Sequence, residues 1–223
     1  MKTALAIFVK TPGLSPVKTR LAKTIGQKSA EEFYKLSLNA VKELTAKVQR
    51  ISENSIEPIW AVAEHEGVTS PYWDSFNKVS QGDGDLGLRL HTIYSKLLKN
   101  YNQVVLMGAD SPQLLPEQII NGVNKINHKN FIIGPTYDGG FYFFGGNKAI
   151  KKELWLDVKY SHDTTCFDLS QRLNDESHVV MLPKDYDVDV YADLQKVKPL
   201  LELRSLDSQK QLLSWINISI SKG

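Results

Sequence analysis

The sequence predicts a single α/β domain with a mostly parallel sheet covered by helices on both faces. Compact apolar runs without alternation, Ala4–Val9, Ile59–Ala63 and Val104–Met107, suit strands buried on both faces. Between them lie stretches whose apolar residues recur at helical spacing. Neither a linker nor an internal repeat divides the 223 residues, a length that one domain can occupy.

Each element follows from its local pattern. After the first strand, Thr11–Pro16 carries two prolines and a glycine and reads as a loop. Phe33, Leu36, Leu38, Val41, Leu44 and Val48 mark a helix from Ser29 to about Ile51. Ile59–Ala63 is the second strand, and Val79 belongs to a short third one ahead of the turn Gly82-Asp83-Gly84. Leu86, Leu90, Ile93, Leu97 and Leu98 return to helical spacing, and Val104–Met107 is the next strand. Pro116 suits the first position of a helix reaching about Asn127, because proline forfeits no helical hydrogen bond there. Phe131–Ile133 and Phe141–Phe144 flank the turn Asp138-Gly139-Gly140, which predicts some antiparallel pairing. Helix over Thr164–Leu173, strand over Val179–Leu182, helix over Tyr191–Leu203 and a short helix from Ser208 to Ile216 complete the chain.

Composition excludes several classes. With 42% hydrophobic and 23% charged residues the chain is neither disordered nor collagen-like. A net charge of +2 argues against a nucleic-acid binder, so any bound anion is held by a local arrangement. One cysteine, Cys166, permits no internal disulfide and fits a reducing compartment. The apolar run at the amino terminus is shorter than the ~7–15-residue core of a secretory signal. No stretch approaches the ~18 apolar residues of a membrane span. A cytoplasmic protein is expected.

In open α/β sheets ligands bind beyond the carboxyl ends of the strands, which directs attention to five loops. Lys10, Lys18, Arg20 and Lys23 follow the first strand in a hydroxyl-bearing loop suited to a phosphate or pyrophosphate, although the loop lacks a P-loop pattern. Gly108-Ala109-Asp110-Ser111-Pro112 places an acid at a strand end, where it can hold a divalent cation beside phosphates or cap the next helix; the cation is the preferred role. In Asp187-Val188-Asp189 the two carboxylates point the same way if the segment is extended. Their repulsion calls for a cation or a basic partner, while a solvated acidic loop accounts for the pattern equally well. Asp193 is expected to cap the helix that follows. Asp138, Gly139 and Gly140 make a tight turn that allows backbone close to a ligand, and Asp138 can bind an acceptor hydroxyl or simply make the turn. The fifth loop, Gln81 to Arg89, can offer amides to an anion, but Asp83 and Asp85 oppose one there. His162 and Asp163 lie in a polar stretch that can line a pocket, with a surface turn the preferred reading, and Cys166 is expected to be a small core residue.

Lys18-Thr19-Arg20-Leu21-Ala22, Gln81-Gly82-x-Gly84-Asp85-Leu86-Gly87-x-Arg89, Gly108-Ala109-Asp110-Ser111-Pro112, Gly134-Pro135-x-x-Asp138-Gly139-Gly140 and Asp187-Val188-Asp189, in that order, resemble the DUF2064 family. Its members are glycosyltransferase-like proteins labelled rSAM/selenodomain-associated transferase 1, within the nucleotide-diphospho-sugar transferase superfamily of GT-A fold. The likeness spans about Ala4 to Leu194, with a C-terminal helical extension after it, and the whole of residues 1–223 is expected to be one such domain. The same loops are similar to phospholactate guanylyltransferase and, more distantly, to the molybdenum-cofactor guanylyltransferases.

The resemblance implies a nucleotide over the first half of the sheet. Asp110 would bind Mg²⁺ or Mn²⁺, with a second ligand from Asp187 or Asp189. Asp110 and Asp138 would be the catalytic acids, and Lys10, Lys18, Arg20, Gly82, Gly139 and Gly140 would contact the nucleotide. Two departures stand out. Ala109-Asp110 has one carboxylate where glycosyltransferases carry Asp-x-Asp, and Leu88 stands where family members tend to have Glu. The expected activity is metal-dependent transfer from a nucleotide sugar to a small-molecule acceptor. Nucleotidyl transfer from a nucleoside triphosphate to a phosphorylated acceptor is the alternative, and a non-catalytic nucleotide-binding module is a third.

Overall fold

Seven strands form one sheet in the order β3-β2-β1-β4-β6-β5-β7, in a computed structural model that describes residues 1–220. The strands are β1 (Thr3–Val9), β2 (Ile56–Val62), β3 (Asn77–Ser80), β4 (Gln103–Gly108), β5 (Asn130–Pro135), β6 (Phe141–Gly146) and β7 (His178–Met181). All lie parallel except β6, which runs antiparallel to both β4 and β5. The turn after Asp138 produces the antiparallel pairing expected of it. Alternate residues of β1 serve opposite faces. Leu5, Ile7 and Val9 pack with α2 (Gln27–Ile51) and α4 (Pro116–Asn124), whereas Ala4 and Ala6 pack with α3 (Leu86–Leu97), α5 (Lys152–Leu156) and α6 (Thr165–Asn174). Both faces of the strand are therefore buried, which is why the run shows no polar alternation.

A third layer covers α2 from outside. It joins α1 (Thr19–Ile25), α7 (Tyr191–Glu202) and α8 (Asp207–Ile220) around Leu21, Phe33, Leu194, Val197, Leu212 and Ile216. The long helix predicted from Ser29 thus begins at Gln27 and is preceded by a separate α1, a break made by Gly26 at φ 81°. The short helix α5, absent from the sequence prediction, buries Trp155 completely. Among the described residues no helix is long and apolar enough to cross a membrane.

Register sets the level of the site. Ile7 pairs with Met107 and Phe8 with Gly108, so the loop leaving β1 and the turn leaving β4 start side by side. β7 lies at the sheet's edge, but the chain after it returns across the strand ends. Asp185 donates its amide to Pro135 O at 3.1 Å and Tyr137 donates to Asp185 O at 3.2 Å. Val188 then donates to Asp110 O at 3.0 Å, which brings the acidic segment onto the end of β4.

Candidate active site

Four of the five loops line one cleft of about 870 Å³ at the carboxyl edge of the parallel strands, and the Gln81–Arg89 loop adds Gln81, Leu86 and Arg89 to its wall. Lys10, Lys18, Arg20, Asp110, Asp138, Gly140, Asp187 and Asp189 all face it. The acidic pair follows from alternation: Val188 is fully buried, so Asp187 and Asp189 turn the other way, toward the cleft.

Two cations of the basic loop, Lys18 and Arg20, are paired with carboxylates of the chain itself. The Lys18 side chain is 4% exposed, and its ammonium lies 2.6 Å from Asp110 Oδ1 and 4.0 Å from Asp189 Oδ1. It also donates to Val188 O at 2.5 Å. Arg20 donates to Asp189 Oδ2 at 2.8 Å. Both cations are therefore engaged by carboxylates that lie some 90 to 170 positions away in the chain. Two other basic side chains on the cleft have no carboxylate partner among the described residues. Lys10 reaches only Pro16 O at 3.4 Å, and Arg89 donates its Nε to Gly84 O at 2.9 Å, which leaves its terminal nitrogens available. Local pattern had placed Arg89 in its motif but not in the site; its helical position, one turn into α3, was the available signal.

Glu64 anchors the loop that carries these residues, accepting the Thr11 amide at 2.8 Å. Burial acts to raise its carboxyl, but hydrogen bonds from Ser15 and the Thr11 amide outweigh burial and hold it below the ordinary carboxylate range.

The three expected metal ligands do not form a ready cage. Among the described residues, no three His, Cys, Asp or Glu side chains gather closely enough to hold a metal ion by themselves. Asp189 and one oxygen of Asp110 are instead paired with Arg20 and Lys18. Asp187 differs. Burial first, then the charges of Asp138 and Asp110, push its carboxyl up to about 7. A carboxyl so crowded by like charge marks a place short of positive charge. Mg²⁺ typically takes one or two carboxylates and completes its shell with water and substrate phosphates, so Asp187 with the second oxygen of Asp110 is a donor set that fits it.

Asp138 spends one oxygen on its own turn, where Oδ1 accepts Thr136 Oγ1 at 2.5 Å and the Gly140 amide at 3.0 Å. Gly140 lines the cleft, whereas Gly139 is packed against protein backbone. Its φ is +95°, and a Cβ there would lie 1.9 Å from Asp163 O, so the partner it approaches is the turn before α6. Gly82, at φ 77°, turns the chain out of β3 behind Gln81 instead of facing the cleft. The turn before α6 is exposed, as the sequence expects of His162 and Asp163, and it also borders the cleft. Ser161, His162 and Asp163 line the cleft, and His162 Nδ1 lies 2.9 Å from Asp163 Oδ1, which leaves Nε2 open. Asp110 does not cap α4; Leu115 takes that position, its amide bonded to Gln118 Oε1 at 2.7 Å.

Behind the cleft, buried Asp185 accepts both Gln113 Nε2 at 2.7 Å and Gln118 Nε2 at 3.1 Å. These bonds tie the acidic segment to the turn after Asp110. Cys166 is buried, and burial raises its thiol to about 11, as a core cysteine requires.

The comparisons with known proteins agree with this architecture. The DUF2064 family, described as an uncharacterized protein conserved in bacteria, matches residues 55–162. A provisionally assigned nucleotide-diphospho-sugar transferase from Desulfovibrio desulfuricans G20 superposes with a TM-score of 0.85 at 23% identity, over 100% of this chain and 98% of that one. A cytidylyltransferase from Leptospira borgpetersenii serovar Hardjo-bovis gives 0.58 at 13% identity, covering 99% and 96%. A nucleotidyl transferase from Methanothermobacter thermautotrophicus gives 0.56 at 13% identity, covering 91% and 99%. Among curated proteins none matches the sequence. These likenesses establish the nucleotide-diphospho-sugar transferase fold.

Proposed function

The DUF2064 resemblance holds over residues 55–162, and from that footing we propose that the protein is a divalent-cation-dependent transferase acting on a nucleotide-activated donor, in the first place a nucleotide sugar. The observation that carries this is the meeting of Asp110, Asp138, Asp187 and Asp189 with four basic side chains in one cleft at the sheet's carboxyl edge.

Asp187 and the outer oxygen of Asp110 would hold Mg²⁺ or Mn²⁺. When bound, such an ion neutralises the charge that develops on a departing diphosphate. Lys10 and Arg89 would grip phosphate oxygens, since neither is committed to a carboxylate. The acceptor's proton needs a base on the far wall. Asp138 Oδ2 and His162 Nε2 are the groups there, with Asp163 Oδ1 2.9 Å from the histidine's Nδ1.

Nucleotidyl transfer is the second reading. It is favoured by the partial use of Asp138 within its own turn, because attack by an acceptor phosphate on a nucleotide needs no strong base. The cytidylyltransferase and nucleotidyl transferase that share the fold support it.

A thermal-shift panel of nucleoside triphosphates and nucleotide sugars, each with and without Mg²⁺ or Mn²⁺, separates the two. A ligand at a hundred times its dissociation constant stabilises the folded state by about 2.7 kcal/mol. A metal-dependent shift with a nucleotide sugar, abolished in Asp110→Ala, supports glycosyl transfer, and a response confined to triphosphates supports nucleotidyl transfer. Silence from every nucleotide overturns both.

A further inference from the structure

Lys18 has three properties that a phosphate-binding lysine does not need. Its side chain is 4% exposed, its ammonium is surrounded by three protein oxygens, and its backbone is left-handed at φ 49° and ψ 41°. The oxygens are Asp110 Oδ1 at 2.6 Å, Val188 O at 2.5 Å and Asp189 Oδ1 at 4.0 Å. A left-handed conformation is strained for a non-glycine residue and persists where surrounding structure demands it. The demand is visible on both sides. Val17, buried beside it, anchors the loop, and α1 starts at the next residue. The ammonium is thereby delivered between two strand-end segments, one after β4 and one after β7.

A buried ammonium is tolerated when oxygens surround it closely. An oxygen set of this kind, two carboxylates and a carbonyl, is also what a hard cation seeks. Arg20 neutralises the remaining oxygen of Asp189 from outside. Two of the four carboxylates at this end of the cleft therefore carry a cation from the chain itself, while Asp138 and Asp187 carry none among the described residues. Asp187, with the oxygen of Asp110 that Lys18 leaves free, is the donor set that remains for one divalent ion.

We propose that Lys18 is a built-in counter-ion that fills the pocket of Asp110, Asp189 and Val188 in place of a second metal ion, so that the cleft takes one divalent cation and Asp189 is not among its ligands. The inference rests on the metal-dependent reading above and specifies it. Lys18 acts as a positioning residue: it orients Asp110 and holds the acidic segment, and Lys10 and Arg89 are left for the substrate's phosphates.

Mn²⁺ alone, titrated into metal-stripped full-length protein and followed by electron paramagnetic resonance, tests this without any substrate. Wild type is expected to bind one ion. Lys18→Met is expected to bind two, or one at least about tenfold more tightly, the order of effect seen when a metal's surroundings change. Lys23→Met, a charge change on the exposed side of α1, should match wild type. Asp189→Asn should leave affinity within about threefold, whereas Asp187→Asn should weaken it at least about tenfold. Folding of each variant is checked by circular dichroism in chelator; if Lys18→Met does not fold, the Asp189→Asn and Asp187→Asn pair decides alone.

The outcomes separate cleanly. Unchanged stoichiometry and affinity in Lys18→Met overturns the inference, as does a large loss in Asp189→Asn. Two ions on wild type overturn it while leaving metal dependence intact. One ion on Lys18→Met and none on wild type overturn the inference of a one-cation cleft together with the wild type's metal dependence. No binding by either overturns both.

Discussion

Val188 is fully buried between two acids that face the cleft, so its side chain orients both neighbours. Similar reasoning applies to Glu64, whose carboxylate accepts the Thr11 amide and stabilises the loop after β1. Its folded-state carboxyl lies below the ordinary range, so its contribution is present above the unfolded value near 4.3 and is lost as pH falls through the lower folded value. Thermal melts of wild type should therefore drop between about pH 5 and pH 3 more steeply than those of Glu64→Gln, a difference of about 1 kcal/mol for a partly exposed group. Equal slopes would mean that the carboxylate does not hold the loop. Cys166 gives a second expectation. With its thiol raised to about 11, iodoacetamide at pH 8 should modify the native protein far more slowly than the urea-unfolded chain, as mass spectrometry would read directly.

The start of α7 shows how a helix end and the site are joined. Asp193 accepts the amides of Asp189 at 3.0 Å and Val190 at 2.9 Å, which satisfies donors at the helix amino terminus and fixes the end of the acidic segment. Asp193→Ala should cost about 1 kcal/mol, a typical cap, and lower Tm by about 2–4 °C in a chain of this size. No change in Tm would show that the amides find water instead. The Thr136–Gly140 turn and the turn before α6 form another joint, since Cys166 donates its amide to Gly139 O at 2.8 Å. Gly139→Ala forces a Cβ onto Asp163 O in a left-handed backbone, so it should cost about 1–3 kcal/mol and displace His162 from the cleft wall. Wild-type Tm in that variant would refute the close approach. The sequence made the Thr136–Gly140 turn legible through its glycines, but it did not say that this turn would pack on the one before α6.

Across the molecule, the cleft is assembled by the return of the chain after β7 over the ends of β5 and β4. Hydrogen exchange should accordingly report the site as two remote stretches. A nucleotide with Mg²⁺ is expected to slow exchange in residues 10–20 and 185–190 together, while protection of only one stretch would contradict a shared cleft. The seven strands, the longer helices, the antiparallel turn at Asp138 and the loops able to carry polar chemistry were readable, because periodicity, proline and glycine act over a few residues, whereas the short α1 and α5 were not. The pairing of charges was not. Lys18 meets Asp189 and Arg20 meets the same carboxylate across about 170 positions, so a loop that reads as four free cations keeps only some of them free. Local pattern determines which groups stand at a strand's end. Which of those groups neutralise one another is decided by sheet order and register, since a Coulomb interaction depends on distance in space and not along the chain.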